Sequence, residues 1–404
     1  MTQPFDGVTI LDFSHVLTGP YASSLFALCG ARVIKIEQPG VGDMTRKGSS
    51  NPVLAGRGLS PGFQAVNVGK EAITIDLKSA EGVAIINQLA ARADVVLENF
   101  RPGVLDRLGI GQRQLSTVNP ALIYCSISGF GQDGPLSREP AYDGKIQAMS
   151  GIMSMTGEID GSPMRAGFAI ADNIAGLNAA FAIAAALHQR GDSGQGQVID
   201  VAMLDSMLSL MAPTVLDYLT TGEAPKRIGN MAISKQPTAD LFKTADGHIL
   251  LAVNTDAQVA TLLREVGRDD LADDPRFTDR HARIEHADAL VTAVTAGLSQ
   301  ATSAEWEARL NRAGAPCGLV NTIPDILGNP QVGHRGQMAR IDAGDCAIDD
   351  AGPAHFVNTG FQFAHNGPAT DRPPPKLGQD TDALLEELGY GADVIADLKE
   401  RGVV

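Results

Sequence analysis

The sequence predicts an α/β protein whose larger part is built on a parallel β-sheet and whose smaller part is a separate α+β module. Three observations lead to this fold class. At 404 residues, the chain is longer than one compact domain usually is. Its first third alternates short apolar runs with helical segments. From Leu241 the pattern changes to a hairpin followed by amphipathic helices.

The apolar runs of the first part are typical of buried strands, and helical segments separate them. We predict strands at residues 8–13, 32–37, 72–77, 95–98, 122–127 and 197–201. We predict helices at residues 21–29, 79–92 and 172–188 and from about residue 203, the second of them capped by Ser79. Strands joined by helices form right-handed crossovers and a parallel sheet. Ligands are then expected outside the carboxyl ends of the strands.

The second part begins with two strand-like runs, 241–244 and 248–253, that flank the turn Ala245-Asp246-Gly247. Helices are expected at 258–266 and 303–313, and another at 381–388 in the tail. We expect a large domain at 1–222, a linker at 223–240, a small α+β domain at 241–325, a linker at 326–345 and a return to the large domain at 346–404. The segment 40–69 is rich in Gly, Ser and Pro and is expected to be a long functional loop.

Composition and charge restrict the class of protein. A net charge of −15 and a pI near 4.9 argue against nucleic acid and against a membrane surface as partners. We expect no apolar run of membrane-spanning length, and residues 1–6 lack the pattern of a signal peptide. The cysteines, Cys29, Cys125, Cys317 and Cys346, have no metal-ligand spacing. We therefore expect a reduced cytoplasmic protein without a metal site or a structural disulfide.

The segment 163–176 places one carboxylate, Asp172, at the mouth of a helix rich in small residues. A carboxylate can act as a covalent nucleophile toward an activated acyl group. The alternative is that Asp172 only caps the helix and accepts hydrogen bonds from its first N–H groups. If it is the nucleophile, backbone N–H donors near the helix start are expected to stabilise the negative charge of the reaction.

Two loops follow predicted strands and carry further candidate residues. The turn from Ser14 to Pro20 is not a Gly-x-Gly-x-x-Gly phosphate loop, and its His15 either contacts a ligand or holds the loop. In the cluster 98–109, Arg101 and Arg107 are candidates for phosphate contacts and Phe100 for stacking on a base. The alternative for that cluster is a solvated helix that begins at Pro102.

Several short motifs follow one another along most of the chain. They are residues 12–20, 30–37, 42–46, 98–103, 141–143, 147–151, the segment around Asp172, 194–197 and 378–382. With these motifs the chain resembles CoA-transferase family III (CaiB/BaiF), and in particular its formyl-CoA-transferase-like members. The resemblance implies a Rossmann-like large domain formed by both ends of the chain, an inserted smaller domain, and a homodimer of interlocked protomers.

The resemblance also implies the roles of individual residues. It assigns the catalytic role to Asp172, and coenzyme A is a substrate rather than a permanently bound cofactor. It aligns contacts to CoA with His15, Leu17, Thr18, Ile75, Asn99, Phe100, Arg107, Tyr142 and Asp143, beside which Arg101 is a further candidate. Gln38 stands where some members carry an arginine for the nucleotide, and Pro140 replaces a lysine of formyl-CoA transferase. Residues 233–240 occupy the region of that enzyme's tetraglycine loop, which argues against oxalate as the acceptor.

The implied reaction moves CoA from an acyl-CoA donor to a carboxylic acid through an aspartyl anhydride. An α-methylacyl-CoA racemase is one alternative, but that branch carries a histidine where Tyr142 stands here, and a phenol is a poor proton-transfer group at neutral pH. A non-catalytic acyl-CoA-binding relative is another alternative. An aromatic content of 5% and the small residues of 149–157 favour a compact acyl pocket. We expect a short dicarboxylate as the substrate, with Arg165 as a candidate partner of its distal carboxylate.

Overall fold

The computed structural model describes residues 2–48, 51–347 and 353–404. Residue 1, two residues of the expected loop 40–69 and residues 348–352 of the expected return therefore lie outside the described residues. The chain forms two compact units. The first unit contains Met1–Ile152, Arg165–Glu223 and Gln331–Val404, and the second contains Met153–Met164 and Ala224–Pro330.

The boundaries of the two units differ from the expected domain boundaries at the segment Met153–Met164 and at the linkers. The segment Met153–Met164 lies inside the expected large domain but belongs to the second unit. The Arg227 side chain holds it there, donating to the carbonyl oxygens of Glu158 at 3.2 Å and Ser154 at 3.4 Å. A contact between residues so far apart in the chain leaves no trace in local periodicity.

The first unit is built on a parallel sheet that contains six strands in the described part of the chain. These are β1 (Thr9–Asp12), β2 (Arg32–Glu37), β3 (Glu71–Thr74), β4 (Val95–Glu98), β5 (Ile123–Ser128) and β6 (Val198–Ala202). Their order, β3-β2-β1-β4-β5-β6, is that of a doubly wound dinucleotide-binding sheet. The prediction of a parallel sheet is confirmed. β3 ends three residues early because the Asp76 N–H donates to the carbonyl of Val403 at 2.7 Å instead of continuing a ladder.

Helices cover both faces of this sheet. Those of the first unit up to residue 149 are α1 (Thr18–Leu28), α2 (Pro52–Gly56), α3 (Pro61–Gln64), α4 (Ala80–Ala90), α5 (Val104–Arg107), α6 (Gln112–Val118) and α7 (Asp143–Met149). After α8 (Ile152–Met155), which lies mostly in the second unit, the first unit continues with α9 (Ile170–Ser193), α10 (Met203–Leu210) and α11 (Ala212–Thr221). Neighbouring strand residues point to opposite faces, since Ile10 packs with α1 and α9 whereas Leu11 packs with α4. Two buried faces explain why the inner strands of the sheet are mostly apolar.

Among the described residues, one helix, α9, is long and apolar enough to cross a membrane. The sequence-based expectation that no apolar run has this length is therefore wrong for residues 170–193. One stripe of the helix, including Ala171, Ala175, Ala179 and Ile183, is fully buried in the core of the first unit. Core helices of globular proteins meet the same criterion.

The second unit contains an antiparallel sheet of β7 (Leu241–Lys243), β8 (His248–Leu251) and β9 (Cys317–Leu319). The predicted hairpin is confirmed by the pairing of β7 with β8, whereas β9 was not predicted. The helices are α12 (Asp256–Glu265), α13 (Arg280–Glu285), α14 (Ala287–Leu298), α15 (Ser303–Ala313) and α16 (Ile323–Leu327). Capping boxes at Thr255 and Thr302 begin α12 and α15.

The last part of the chain packs on β3 of the first unit. After α17 (Pro330–His334), a hairpin of β10 (Met338–Ile341) and β11 (Ala354–Val357) leads to α18 (Thr381–Glu387) and α19 (Ala392–Glu400). The Ala72 N–H donates to Asp380 Oδ2 at 2.9 Å and the Thr74 N–H donates to Thr381 Oγ1 at 3.2 Å. The segment 40–69 is less irregular than expected, because it contains α2, α3 and a 3₁₀ turn at Met44–Lys47.

Candidate active site

A cavity of about 300 Å³ lies at the carboxyl ends of the strands of the first unit. The residues around it follow β1, β4 and β5 or begin α9 and α10, so the cavity spans the point where the strand order reverses. The lining residues are His15, Val16, Thr18, Asn99, Phe100, Arg101, Pro102, Ile127, Ser128, Gly129, Ser137, Glu139, Pro140, Ala141, Tyr142, Asp172 and Met203. Seven of them are candidates from the sequence, namely Asp172, His15, Thr18, Asn99, Phe100, Arg101 and Tyr142.

Asp172 lies in the first turn of α9 rather than at its cap. The helix begins at Ile170, and its N-cap residue is Ala169, so both the expected helix start and the alternative of Asp172 as an N-cap are wrong. The carboxylate instead accepts a hydrogen bond from the Thr18 hydroxyl at Oδ1. Burial raises the pKa of Asp172, and the nearby charge of Asp143 acts in the same direction, while the Thr18 hydrogen bond opposes them.

A glycine brings Thr18 and Asp172 together. Gly176 lies one turn after Asp172, on the same face of α9. A Cβ atom at Gly176 would lie 2.5 Å from the carbonyl oxygen of Thr18. Such a contact cannot be relieved by a side-chain rotation, because the obstructing atom belongs to the backbone. The close approach of α1 and α9 therefore depends on this glycine.

Asp143 supports the helix that carries Asp172. It is the first residue of α7, and its Oδ1 accepts from the Ala171 N–H at 2.8 Å. Its Oδ2 accepts from Gln147 Nε2 at 2.6 Å. Both carboxylate oxygens are thus bonded to protein groups, and Asp143 does not line the cavity. The Ala171 N–H is therefore not free to serve as the backbone donor expected from the sequence.

Asn99 fixes the backbone of His15. Its Oδ1 accepts from the His15 N–H and its Nδ2 donates to the His15 carbonyl, both at 2.8 Å. The His15 ring lies edge-on to Phe100, with 5.6 Å between the ring centroids. Burial lowers the pKa of His15, and the positive charge of Lys35 lowers it further, although Asp43 opposes both. The lowered pKa favours the neutral form of the imidazole.

Val16 has a backbone conformation that is rare for its residue type. Its φ angle is 69°, in the left-handed region that a β-branched residue adopts only when its surroundings impose it. The Val16 N–H donates to Asp43 Oδ2 at 3.1 Å, and the same oxygen lies 3.1 Å from Lys35 Nζ. Lys35 also donates to the carbonyl of Ser14 at 2.8 Å. The buried side chains of Asp43 and Lys35 thus hydrogen-bond to the backbone of the loop that carries His15.

A second buried ion pair lies beneath the same loop. Asp12 and Lys70 are both fully buried, with 2.9 Å between Asp12 Oδ2 and Lys70 Nζ. Burial alone would raise the pKa of Asp12, but Lys70 and Lys35 outweigh it and lower that pKa. Asp12 also accepts from the hydroxyls of Ser14 and Ser23. The loop that carries His15 and leads into α1 therefore rests on a hydrogen-bonded charged layer.

Glu98 positions the loop after β4. Its Oε2 accepts from the Phe100 N–H at 2.7 Å, and burial raises the pKa of its carboxyl group to about 7. The sequence marked the motif that contains Glu98, but not this role.

Six sequence candidates do not line the cavity. Ile75 is fully buried and Leu17 is half-buried, while Asp143 has the supporting role described above. The other three, Gln38, Arg107 and Arg165, are exposed. Sequence analysis missed Ser128 and Gly129, although they stand at the carboxyl end of β5, where the strand rule applies. It also missed Ser137, Glu139 and Met203, for which no local pattern gave a signal. Pro140, noted only as a departure, lines the cavity.

The described residues contain no group of three or more His, Cys, Asp or Glu side chains arranged to hold a metal ion. The four cysteines are free thiols, and those at positions 29, 125 and 346 are buried.

Comparison with known proteins identifies relatives along nearly the whole chain. The model of CoA-transferase family III matches residues 5–381. The acetyl-CoA:oxalate CoA-transferase of Acetobacter aceti is 39% identical over 95% of this chain and 96% of its own length. The succinate–glutarate CoA-transferase of Agrobacterium fabrum is 37% identical, with the same coverage of 95% and 96%. The crystal structure of a CAIB/BAIF family protein from Brucella suis superposes with a TM-score of 0.84 at 35% identity, covering 96% of this chain and 100% of that one.

Proposed function

The chain belongs to CoA-transferase family III, and from this premise we propose that Asp172 carries the transfer of CoA from an acyl-CoA donor to a small carboxylic acid. One observation carries the proposal. Asp172 is half-buried and lines the cavity at the reversal point of the sheet, where a ligand of such a fold binds. Among the described residues, the Thr18 hydroxyl donates to Oδ1 of this carboxylate and no group donates to Oδ2, so Oδ2 is available to a substrate.

The proposed reaction uses Asp172 as a covalent carrier. Asp172 attacks the thioester carbonyl of the donor, and CoA leaves as a thiolate. The thiolate then attacks the aspartyl carbonyl of the resulting anhydride and releases the donor acid. The acceptor carboxylate displaces CoA from the aspartyl thioester to form a second anhydride, and CoA finally attacks the acceptor acyl group. Each step exchanges one activated acyl bond for another, which explains why the transfer needs no external energy source.

The raised pKa of Asp172 makes the proposed reaction depend on pH. Only the carboxylate is a nucleophile, and burial and Asp143 raise its pKa, which favours the neutral acid. A carboxylate with a raised pKa is more nucleophilic once it is ionised. We therefore expect the rate to fall as the pH falls through the pKa of Asp172.

We propose that CoA enters along the loop after β4. Phe100 lines the cavity beside His15 and presents a ring on which a base can stack, and Arg101 lines it with an exposed guanidinium group. Arg107 is exposed at the end of α5, in the same loop and helix. Exposed arginines are suited to the phosphates of the nucleotide, because guanidinium groups pair with phosphate oxygens.

The substrate class is proposed as short dicarboxylic acids and their CoA esters. The Agrobacterium fabrum relative is named for succinate and glutarate, and the cavity of about 300 Å³ suits a compact acyl group. Arg165 passes over Gly144, with its Nη1 2.9 Å from the position of an added Cβ, and Gly144 follows Tyr142 and Asp143. The Arg165 guanidinium group is exposed, and we propose that it pairs with the distal carboxylate.

The experiment is a matrix of donors and acceptors read by mass spectrometry of CoA esters. Acetyl-CoA, succinyl-CoA and a long-chain acyl-CoA are each incubated with oxalate, succinate, glutarate and a monocarboxylic acid. We expect succinyl-CoA and a dicarboxylate to give the fastest exchange, and hydroxylamine added during turnover to convert Asp172 to a hydroxamate. Absence of any CoA exchange would contradict the proposal, and epimerisation of a 2-methylacyl-CoA without exchange would identify a racemase instead.

We also propose that the chain acts as a homodimer. None of the ten residues of α11 is buried, and Leu216 and Leu219 are 64% and 72% exposed. On α9, Leu177 and Phe181 are 48% and 77% exposed. Exposed apolar side chains on both helices favour a second copy of the chain as their cover. Light scattering at micromolar concentration should give twice the mass of 42.3 kDa, and a monomer would contradict this.

A further inference from the structure

We propose that Thr18 is a further catalytic residue of the transfer, whose hydroxyl stabilises the negative charge that develops on Asp172 Oδ1. The inference rests on the proposed function, because it assigns a step within the covalent cycle on Asp172. It also changes the role of Thr18 from a contact to CoA to a contact with the reacting group itself.

The geometry places the Thr18 hydroxyl on one specific oxygen. Thr18 is the first residue of α1, is 5% exposed, and lines the cavity together with Asp172. Its Oγ1 donates to Oδ1 of Asp172. The close approach of α1 and α9 at Gly176 fixes the distance between the two side chains. Oδ1 is therefore the bonded oxygen throughout the cycle, and Oδ2 is the oxygen that attacks.

The bond changes of the cycle show when Oδ1 becomes charged. In the first step Oδ2 bonds to the donor acyl carbon, the C–S bond breaks, and CoA leaves as a thiolate. The thiolate then bonds to Cγ of Asp172, and the electron pair of the carbonyl moves onto Oδ1. When the carbonyl reforms, the bond between Cγ and Oδ2 breaks, and the donor acid leaves as a carboxylate with that oxygen.

The acceptor half repeats this pattern. An oxygen of the acceptor carboxylate bonds to Cγ, charge again moves onto Oδ1, and the Cγ–S bond breaks to give CoA thiolate. The thiolate finally attacks the acceptor acyl carbon, whose bond to the bridging oxygen breaks and restores the Asp172 carboxylate. Two of the four attacks thus develop an oxyanion on Oδ1, next to the Thr18 hydroxyl. A donor placed where charge develops is a large source of rate acceleration.

The two backbone donors on either side of Asp172 are already used by other groups. The Ala171 N–H donates to Asp143 Oδ1 at 2.8 Å, and the Asn173 N–H donates to the carbonyl of Ala169 at 3.1 Å. The hydroxyl of Thr18 is bonded to Oδ1 before the reaction begins, so it needs no rearrangement to meet the oxyanion. This arrangement assigns the stabilising role to a side chain rather than to the helix start.

The test compares Thr18→Val with Thr18→Ser. Valine keeps the branched shape but removes the hydroxyl, and serine keeps the hydroxyl. We expect Thr18→Val to lower kcat by about 100-fold, the effect of removing one oxyanion donor. The KM for acyl-CoA should change by less than about threefold, because the hydrogen bond joins two protein groups and is not a ground-state contact to the substrate. Thr18→Ser should stay within about tenfold of the wild-type kcat.

Two further readouts separate this role from a structural one. Because the attack on Cγ is slowed, the donor anhydride persists longer in Thr18→Val, and the ratio of acyl-CoA hydrolysis to CoA transfer should rise. The acid limb of the rate profile should move to higher pH in Thr18→Val and not in Thr18→Ser, since loss of the hydrogen bond raises the pKa of Asp172 further. If valine lowers the melting temperature, Thr18→Ala replaces it with the same expectations.

The outcomes separate this inference from the proposed function. An inactive Asp172→Ala enzyme together with a Thr18→Val enzyme at the wild-type rate would overturn the role of Thr18 alone. Equal losses in the valine and serine variants, or an unchanged ratio of hydrolysis to transfer, would also overturn it. Transfer at the wild-type rate by Asp172→Ala would instead overturn the covalent mechanism on which the inference rests.

Discussion

Asp172 and Thr18 form a hydrogen-bonded pair within the protein, whereas Arg101 and Arg107 extend from the loop after β4 into solvent. The position of this pair depends on two contacts of α9. One is the close approach of Gly176 to the Thr18 carbonyl, and the other is the hydrogen bond from the Ala171 N–H to Asp143. The two arginines have no ion-pair partner within 4.0 Å among the described residues. The proposed chemistry thus uses groups fixed in advance, and the proposed nucleotide contact uses exposed charges. The difference predicts that substitutions in the two regions will change different kinetic constants.

The largest effect is expected from Asp172→Ala. Loss of the nucleophile removes the covalent route, so kcat should fall by several orders of magnitude while CoA still binds. Steady-state kinetics and calorimetric titration with CoA measure the two properties. Asp172→Asn is the matched control for shape, since it keeps the side-chain size and loses the charge. Loss of CoA affinity equal to the loss of turnover would remove the distinction between the two regions.

The buried charges beneath the first loop are expected to have the next largest effect. Lys35→Met leaves Asp43 buried without its cation, which should cost about 3–5 kcal/mol in the free energy of unfolding. Lys399→Met breaks an exposed pair with Asp382 and serves as the control. Urea denaturation measures both variants. Equal stability of the two would show that the loop does not depend on the charged layer.

Gly176→Ala tests the close approach of α1 and α9. The added methyl group would meet the Thr18 carbonyl, so the two helices must separate, and we expect kcat to fall by roughly tenfold or more as positioning is lost. Gly191→Ala is a matched control on the same helix, because no atom lies within 4 Å of the added Cβ. The control should keep its activity. A normal rate for Gly176→Ala would mean that the spacing of the helices is not critical.

Arg107→Ala should affect binding more than chemistry. If its guanidinium group meets a phosphate of CoA, KM for acyl-CoA should rise by about tenfold, with kcat nearly unchanged, as for uniform binding. The effect should weaken at high ionic strength, because exposed charges are screened. Arg113→Ala, at an exposed position of α6, is the control. A change confined to kcat would contradict the assignment.

The smallest effect is expected from Asp143→Asn. The amide oxygen can still accept from the Ala171 N–H, but the negative charge that raises the pKa of Asp172 is removed. The pKa of Asp172 should fall, so the acid limb of kcat/KM should move to lower pH. A shift to higher pH would show that Asp143 acts mainly by orienting the helix.

The strands of the parallel sheet could be predicted because most of them are short apolar runs buried on both faces. The predicted strands overlap the observed ones, and α15 agrees with its expected bounds, 303–313. Features set by distant residues could not be predicted. The end of β3 depends on a hydrogen bond to Val403, and the assignment of Met153–Met164 to the second unit depends on Arg227. β9 is a strand only because it pairs with β8. The position of Asp172 was indicated by the motif, but its Thr18 partner is 154 residues away in the chain.

The order in which the chain is synthesised has a consequence for the assembly of the first unit. A ribosome that has reached Pro330 has made all the strands of the described parallel sheet but not α18 and α19, which cover Ile73 and Ile75. The 70 residues that follow, up to Glu400 at the end of α19 (400 minus 330), take about 4–14 s at about 5–20 residues per second. During this interval one apolar face of the sheet is incomplete, while most of the second unit is already present. Newly made chains should therefore bind chaperones that recognise exposed apolar strands until the last two helices emerge.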